Sequence, residues 1–401
     1  MIKREGYLSR IRGFYDSDLI KILVGIRRCG KSVILNQIID ELKANGCPDN
    51  HIIYINFEYI EYEDLRDYKE LNSYIKDKLL DKDKYYIFLD EIQKVERFEE
   101  IVNSLRASTT NTSIFITGSN SKLLSQELST VLSGRYVLFN IYPLSYKEFI
   151  ELSKKDAHDE KTFWNYVEWG GLPNRCEFED ENNIKDYLHS VFDSIILRDV
   201  VDRLGLKDTV LFDLILQYIV DITGREFSSV DIIKFLKSKE KSISTETLYT
   251  YLDALCKALI IKKIYRYDIH GKAILKTLNK YYMTDLGIAQ IKNNNFEINK
   301  SFAIENVIYN ELLVRGYDVY IGKTREGEID FIATKNNKKE YYQVAYLLAD
   351  ENVIAREFGA FKPISDNYPK YVLSLDKTDF SRDGIIHKNI IDWLLEENIW
   401  L

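Results

Sequence analysis

Short apolar runs alternate with amphipathic ones through the first third of the chain. Leu19 to Val24, Ile52 to Phe57, Tyr85 to Leu89, Ser113 to Thr117 and Tyr136 to Ile141 read as buried strands. Residues 33–42, 65–80 and 98–105 carry the helical period between them, and residues 3–14 read as a short amphipathic helix ahead of the first strand. Strands apolar on both faces, separated by helices, imply a parallel sheet with helices on both sides. In such a sheet the ligand sits at the carboxyl ends of the strands. The expected class is therefore α/β.

The pattern then changes. From Ser145 to about Val201 it is helical, interrupted by Gly170-Gly171-Leu172-Pro173, and reads as a lid. Residues 210–221, 228–236 and 244–255 read as three further helices. In the last, Leu248, Tyr251, Leu252 and Leu255 form one apolar face. Two strand-like runs follow, Leu259 to Tyr267 and Ile274 to Met283, joined by the loop 268–272. Three helices and a hairpin are the order of a winged helix-turn-helix. The tail opens with a helix over 301–315 and continues in strands at 317–321, 327–333 and 341–346. The boundaries are a core at 1–144, the lid at 145–204, the winged helix-turn-helix at 205–292 and the tail at 293–401.

Composition narrows the class. At 401 residues, 45% hydrophobic and 29% charged, the chain is long enough for two to four globular domains. The formal net charge of −8 gives no global sign of nucleic-acid binding. Locally, residues 225–280 hold 12 Lys and Arg against 6 Asp and Glu, a balance of +6. The four cysteines form no C-x-x-C pair, and the five histidines are scattered, so no zinc site or disulfide framework is suggested. A reducing, cytoplasmic compartment is expected. No run of about 18 apolar residues suggests a membrane span.

The chemistry concentrates after the first strand. Gly25-Ile26-Arg27-Arg28-Cys29-Gly30-Lys31-Ser32 fits G-x-x-x-x-G-K-[ST], and with Val33 it opens the following helix. Glycines let backbone N–H groups close on phosphate oxygens, and a helix N-terminus adds positive charge. Lys31 is placed for the β- and γ-phosphates, and Ser32 for Mg²⁺. Asp90 and Glu91 end the third strand. Asp90 is the expected Mg²⁺ residue and Glu91 the residue that orients or deprotonates water. Ser119 and Asn120 follow the fourth strand as γ-phosphate sensors, with a helix-capping turn as the alternative. Arg135 is a candidate for transition-state charge, in cis or from another subunit of an oligomer.

The exposed positions of the third helix in the 205–292 segment are expected at Thr245, Glu246, Tyr249 and Thr250, with Lys272 on the wing. Double-stranded DNA and a protein partner are both open there. In the tail, Glu305, Asp330 and Gln343 fall where a metal-dependent nuclease keeps oxygen ligands. The lysine expected two residues on is Ala345, so a scaffold without cleavage is the favoured reading.

GIRRCGKS, IFLDEIQKV, IFITGSNSKLLS, LSGRYVLFNIYPLSYKEF, GGLPNR and ILRDVV together resemble the bacterial and archaeal AAA-type ATPases that carry a C-terminal domain of unknown function. The resemblance spans nearly the whole chain. It implies a P-loop ATPase core, a winged helix and a restriction-endonuclease-like, PD-(D/E)XK tail, with ATP and Mg²⁺ as cofactors. By motif it carries Lys31, Ser32, Asp90 and Glu91 into the site, Asn120 into the sensor region and Arg135 into the conserved S/A-G-R segment. Adenine over guanine rests on the resemblance, since the sequence has no guanine-specific N-K-x-D stretch.

Overall fold

A computed structural model describes residues 2–118, 131–195, 200, 208–292, 299–324 and 327–397. The chain divides into two compact units, at residues 1–142 and 143–399. Among the described residues, no helix is long and apolar enough to cross a membrane.

The first unit is a five-stranded parallel sheet. Its strands are β1 (Ile20–Val24), β2 (Ile52–Asn56), β3 (Tyr85–Asp90), β4 (Thr112–Gly118) and β5 (Tyr136–Asn140), in spatial order β2-β3-β4-β1-β5. β1, β3 and β4 are buried at every position, which is why their sequences are continuous rather than alternating. Helices Lys31–Ala44, Tyr68–Lys78 and Phe98–Ser108 form the crossovers, near the positions expected from periodicity. Asp67 caps the second, its side chain accepting from the N–H groups of Lys69 and Glu70. The core joins Ile22, Val24, Ile55, Phe57, Leu89, Val102 and Ile116.

The order of strands determines which chain ends meet. β4 lies between β1 and β3, and the registers pair Val24 with Gly118 and with Asn140, Leu89 with Ile116, and Asn56 with Asp90. The carboxyl ends of β1, β2, β3 and β4 therefore form one edge. Glu5–Arg12 is the expected amphipathic first helix, burying Tyr7, Leu8 and Ile11.

The second unit differs from the expected division. Helices Tyr146–Ser153, Glu160–Trp169 and Glu181–Ile195 are those expected of the 145–204 segment. Helices Thr209–Asp221, Ser229–Ser238 and Thr245–Lys257 precede the antiparallel hairpin of β6 (Ile261–Asp268) and β7 (Ala273–Met283). Leu248, Tyr251, Leu252 and Leu255 are buried, as their spacing requires. The hairpin does not end a separate domain, however. β6 pairs in parallel with β8 (Asp318–Lys323), and the sheet continues through β9 (Glu328–Lys335), β10 (Lys338–Val344), β11 (Lys370–Ser374) and β12 (Ile386–Asn389). The order is β12-β11-β10-β9-β8-β6-β7. A boundary at 292/293 would leave unpaired edges on both β6 and β8, and their pairing removes both.

The GGLPNR stretch has a packing role in this unit. Gly171 N–H donates to Asp285 Oδ2 at 2.7 Å, and Arg175 Nε donates to the Gly170 carbonyl at 2.5 Å. Gly170 has φ +72°, and a Cβ there would fall 1.9 Å from Asp285 Oδ1. Burial pushes the Asp285 carboxyl up to about 6, against the N–H bonds that favour its charge.

Candidate nucleotide site

The loop after β1 is built to present backbone N–H groups. Arg28 and Gly30 both take left-handed conformations, with φ of 67° and 101°. Left-handed residues flanking an ordinary one, as here around Cys29, can turn N–H groups into a concavity that suits an anion. At Gly25, a Cβ would lie 2.3 Å from the Ile141 carbonyl oxygen and 2.6 Å from Cys29 Sγ, so the loop closes only on glycine there. Cys29 is buried, and burial pushes its thiol up, so it packs as a small apolar group. Helix Lys31–Ala44 begins directly, and the first N–H groups of a helix lack intrahelical partners. Lys31 is buried; its Nζ donates to the carbonyls of Gly25 at 3.1 Å and Ile26 at 3.2 Å.

Asp90 is fully buried at the end of β3. Its Oδ2 accepts from Tyr54 Oη at 3.0 Å and Asn56 Nδ2 at 3.1 Å, and its Oδ1 accepts from Thr117 Oγ1. Burial, with the Asp90 charge adding to it, holds the Tyr54 hydroxyl above its ordinary range, so it remains a donor. The next residue, Glu91, is left-handed at φ 58°, its N–H donating to Thr117 Oγ1 at 3.1 Å. Its Oε2 accepts from Gln93 Nε2 at 2.5 Å. Thr117 thus holds both acids from the neighbouring strand. A left-handed non-glycine residue costs about 1–2 kcal/mol and is found where function over-determines the backbone.

The sheet brings Gly25 to Val33, Asp90 and Glu91 to one edge. Asn120 and Ser119 lie outside the described residues. Arg135 is not brought to this edge within its own chain. It precedes β5, its carbonyl accepting from Ile20 N–H at the start of β1, and its Nη1 donates to Asn103 Oδ1 at 2.8 Å. That is the amino edge of a parallel sheet, opposite the phosphate loop, so the cis role is withdrawn.

Four supporting residues escaped the sequence reading. Tyr54, Asn56 and Thr117 surround Asp90, and their one sequence signal is a polar residue near the carboxyl end of an apolar strand. The fourth, Arg4, is buried, its Nη1 bridging the carbonyls of Cys29 and Tyr142, each at 3.0 Å. It sits in the charged N-terminal stretch, where no pattern marks it.

The second unit brings Glu305, Asp330 and Gln343 together. Glu305 lies on helix Lys300–Val314, Asp330 on β9 and Gln343 on β10. Gln343 Oε1 accepts from Asp330 N–H at 3.3 Å, and Asp330 Oδ2 accepts from Val344 N–H at 2.8 Å. A lysine is present, but from β7: Lys280 Nζ lies 2.5 Å from Glu328 Oε1 and 3.4 Å from Glu305 Oε1. Tyr282 also donates to Glu305, and Arg266 lies 2.6 Å from Glu328. Burial, reinforced by Glu305, pushes the Asp330 carboxyl well above its ordinary value. Burial alone would lower the Lys280 ammonium, but Glu305, Glu328 and Asp330 outweigh it and hold it above its usual range. Among the described residues these carboxyl groups do not converge as a metal-ligand set.

Thr245, Glu246, Tyr249, Thr250 and Lys272 are exposed, as expected. The +6 balance is thinner in space than in sequence. Arg266 and Lys280 are buried against acids, and Lys234 and Lys257 pair with Asp231 and Asp253 on their own helices.

Residues 17–150 match the family model of an AAA domain, and residues 160–297 that of a domain of unknown function (DUF8612). An uncharacterized protein of Haemophilus influenzae is 39% identical over 403 residues, covering 99% of each chain. One from Methanocaldococcus jannaschii is 33% identical over 362 residues, 86% of this chain and 79% of that one. Among solved structures, a Walker-type ATPase of Pyrococcus abyssi shares the fold, with a TM-score of 0.52 at 17% identity over 73% of this chain and 96% of that one. With 39% identity over nearly its whole length, this chain belongs to the family of these uncharacterized relatives, and residues 17–150 give it an AAA-type P-loop domain.

Proposed function

We propose that the chain hydrolyses ATP to ADP and phosphate and uses the cycle to change conformation. The observation that carries this reading is Thr117, which holds Asp90 by one bond and the Glu91 backbone by another, at the same sheet edge as the glycine loop. A loop that only stored nucleotide would have no need of a positioned second acid.

In this reading the loop N–H groups and the amino end of helix Lys31–Ala44 take the phosphates. Lys31 exchanges its two loop carbonyls for β- and γ-phosphate oxygens. The donor set fits Mg²⁺: Ser32 offers a hydroxyl in the first turn of the helix, and Asp90 offers a carboxylate fixed by neutral donors. When bound, the cation neutralises developing phosphate charge. Glu91 orients water and accepts its proton. Phosphate release measured for wild type and Glu91→Gln tests this. The variant is expected to keep ATP affinity and lose turnover; background rates for both, with and without DNA, sink it.

A second reading is a nucleotide-gated binding module that contacts double-stranded DNA through helix Thr245–Lys257. It is supported by the exposed Thr245, Glu246, Tyr249 and Thr250 on a helix that precedes a hairpin. Affinity for duplex should then fall steeply with salt. Salt-independent or absent binding would favour a protein partner.

A further inference from the structure

We propose that His51, Asp81 and Asp83 form a site for a divalent transition-metal cation of the zinc class, at the amino edge of β2 and β3. His51 closes the short turn that leads into β2, and the two aspartates lie in the turn that leads into β3. The parallel register Ile52 to Tyr86 sets these lead-ins side by side. One ligand atom from each residue lies within 4.8 Å of the other two. His51 Nε2 faces Asp81 Oδ2 at 3.3 Å.

The arrangement is more than an acidic surface. His51 is only 7% exposed, yet its Nε2 faces the outer acid pair. Its ring stacks on Tyr85, with centroids 4.4 Å apart, which fixes the direction of the nitrogen. Asn111 Nδ2 ties down the carbonyls of Asp81 at 3.3 Å and Asp83 at 2.8 Å. The two carboxylates are exposed, so a cation from solvent can reach them.

One imidazole nitrogen and two carboxylate oxygens suit Zn²⁺, Co²⁺ or Mn²⁺ better than Mg²⁺ or Ca²⁺, which prefer oxygen throughout. Three protein ligands leave a fourth position for water. The site is also distinct from the nucleotide edge. The six residues of β3 separate the two, a span of about 20 Å at 3.3 Å per residue. Sequence reading found no zinc spacing because His51 and Asp81 meet only through strand pairing.

The test uses the full chain, freed of metal and without nucleotide, titrated calorimetrically with ZnCl₂ and with MgCl₂. Saturable Zn²⁺ binding is expected, far tighter than Mg²⁺. Asp83→Asn, an exposed change that leaves packing alone, should weaken Zn²⁺ binding roughly tenfold or more, as should His51→Gln. At one Zn²⁺ concentration the rise in unfolding temperature should be clearly larger for wild type than for Asp83→Asn. If His51→Gln fails to fold, Asp83→Asn still decides. No saturable Zn²⁺ binding to wild type, or wild-type affinity in the variants, overturns the proposal.

Discussion

Thr117→Val removes one oxygen from a fully buried strand position and almost nothing else. The hydroxyl makes two bonds that the methyl group cannot, to Asp90 Oδ1 and from Glu91 N–H. A hydrogen bond to a charged group contributes about 1.5–3 kcal/mol, and a buried N–H left unpaired costs about 1–3 kcal/mol. The Glu91 N–H bond also holds that residue at φ 58°. Releasing it lets the backbone relax toward the right-handed region and turns the carboxylate away from its place. If about 2–3 kcal/mol of this loss is felt in the transition state, turnover falls roughly 30- to 150-fold. ATP affinity should change by less than about threefold, because Lys31 and the loop N–H groups are untouched. The assay is steady-state phosphate release with Mg²⁺, paired with nucleotide binding. Thr117→Ser, which keeps the hydroxyl, should stay close to wild type. Wild-type turnover in Thr117→Val would refute the claim that this side chain positions the two acids.

Lys21 is buried in β1, its Nζ donating to Ser113 Oγ at 2.6 Å, and burial pushes it down to about 7. The unfolded chain binds more protons between pH 7 and about 10.5, so stability rises with pH across that window, by about 1.4 kcal/mol per unit; Lys21→Met should remove this slope, read from amide exchange of residues 20–24 at pH 6 to 9. Lys280→Met leaves Glu305, Glu328 and Asp330 without their central cation and should destabilise the second unit by about 3–5 kcal/mol. Tryptophan fluorescence in a urea titration reports it, since Trp164, Trp169 and Trp393 all lie there. Gly25→Ala should abolish ATP binding while leaving the fold, because its Cβ meets the Ile141 carbonyl at 2.3 Å; an unchanged dissociation constant would contradict the close loop geometry.

The first unit was legible because its information is local. Each strand is a continuous apolar run, each crossover helix has its period, and the glycine loop and the acid pair sit at strand ends that a parallel sheet brings together. What decides the chemistry at Asp90 is not local. Tyr54 and Asn56 come from β2 and Thr117 from β4, and only the register of three strands shows that they converge on one carboxylate. The same limit explains the 292/293 boundary, since no periodicity says that β6 will pair with β8.

The tail shows the limit most sharply. A linear rule looks for a lysine two residues after Gln343 and finds Ala345. In space a lysine is there, from β7, on a hairpin assigned by sequence to a different domain. Its presence does not restore the linear motif's meaning. Lys280 is held by Glu305 and Glu328; Arg266 takes the other oxygen of Glu328, and Tyr282 donates to the same Glu305 oxygen that faces Lys280. Positive charge supplied by the chain thus satisfies the acids that a divalent cation would otherwise bridge. Glu305, read in sequence as a metal ligand, acts in the fold as the partner that fastens β7 to helix Lys300–Val314, and Glu328, which no motif marked, fastens β7 to β9. That is a physical reason for β6 and β7 to belong to the tail's sheet.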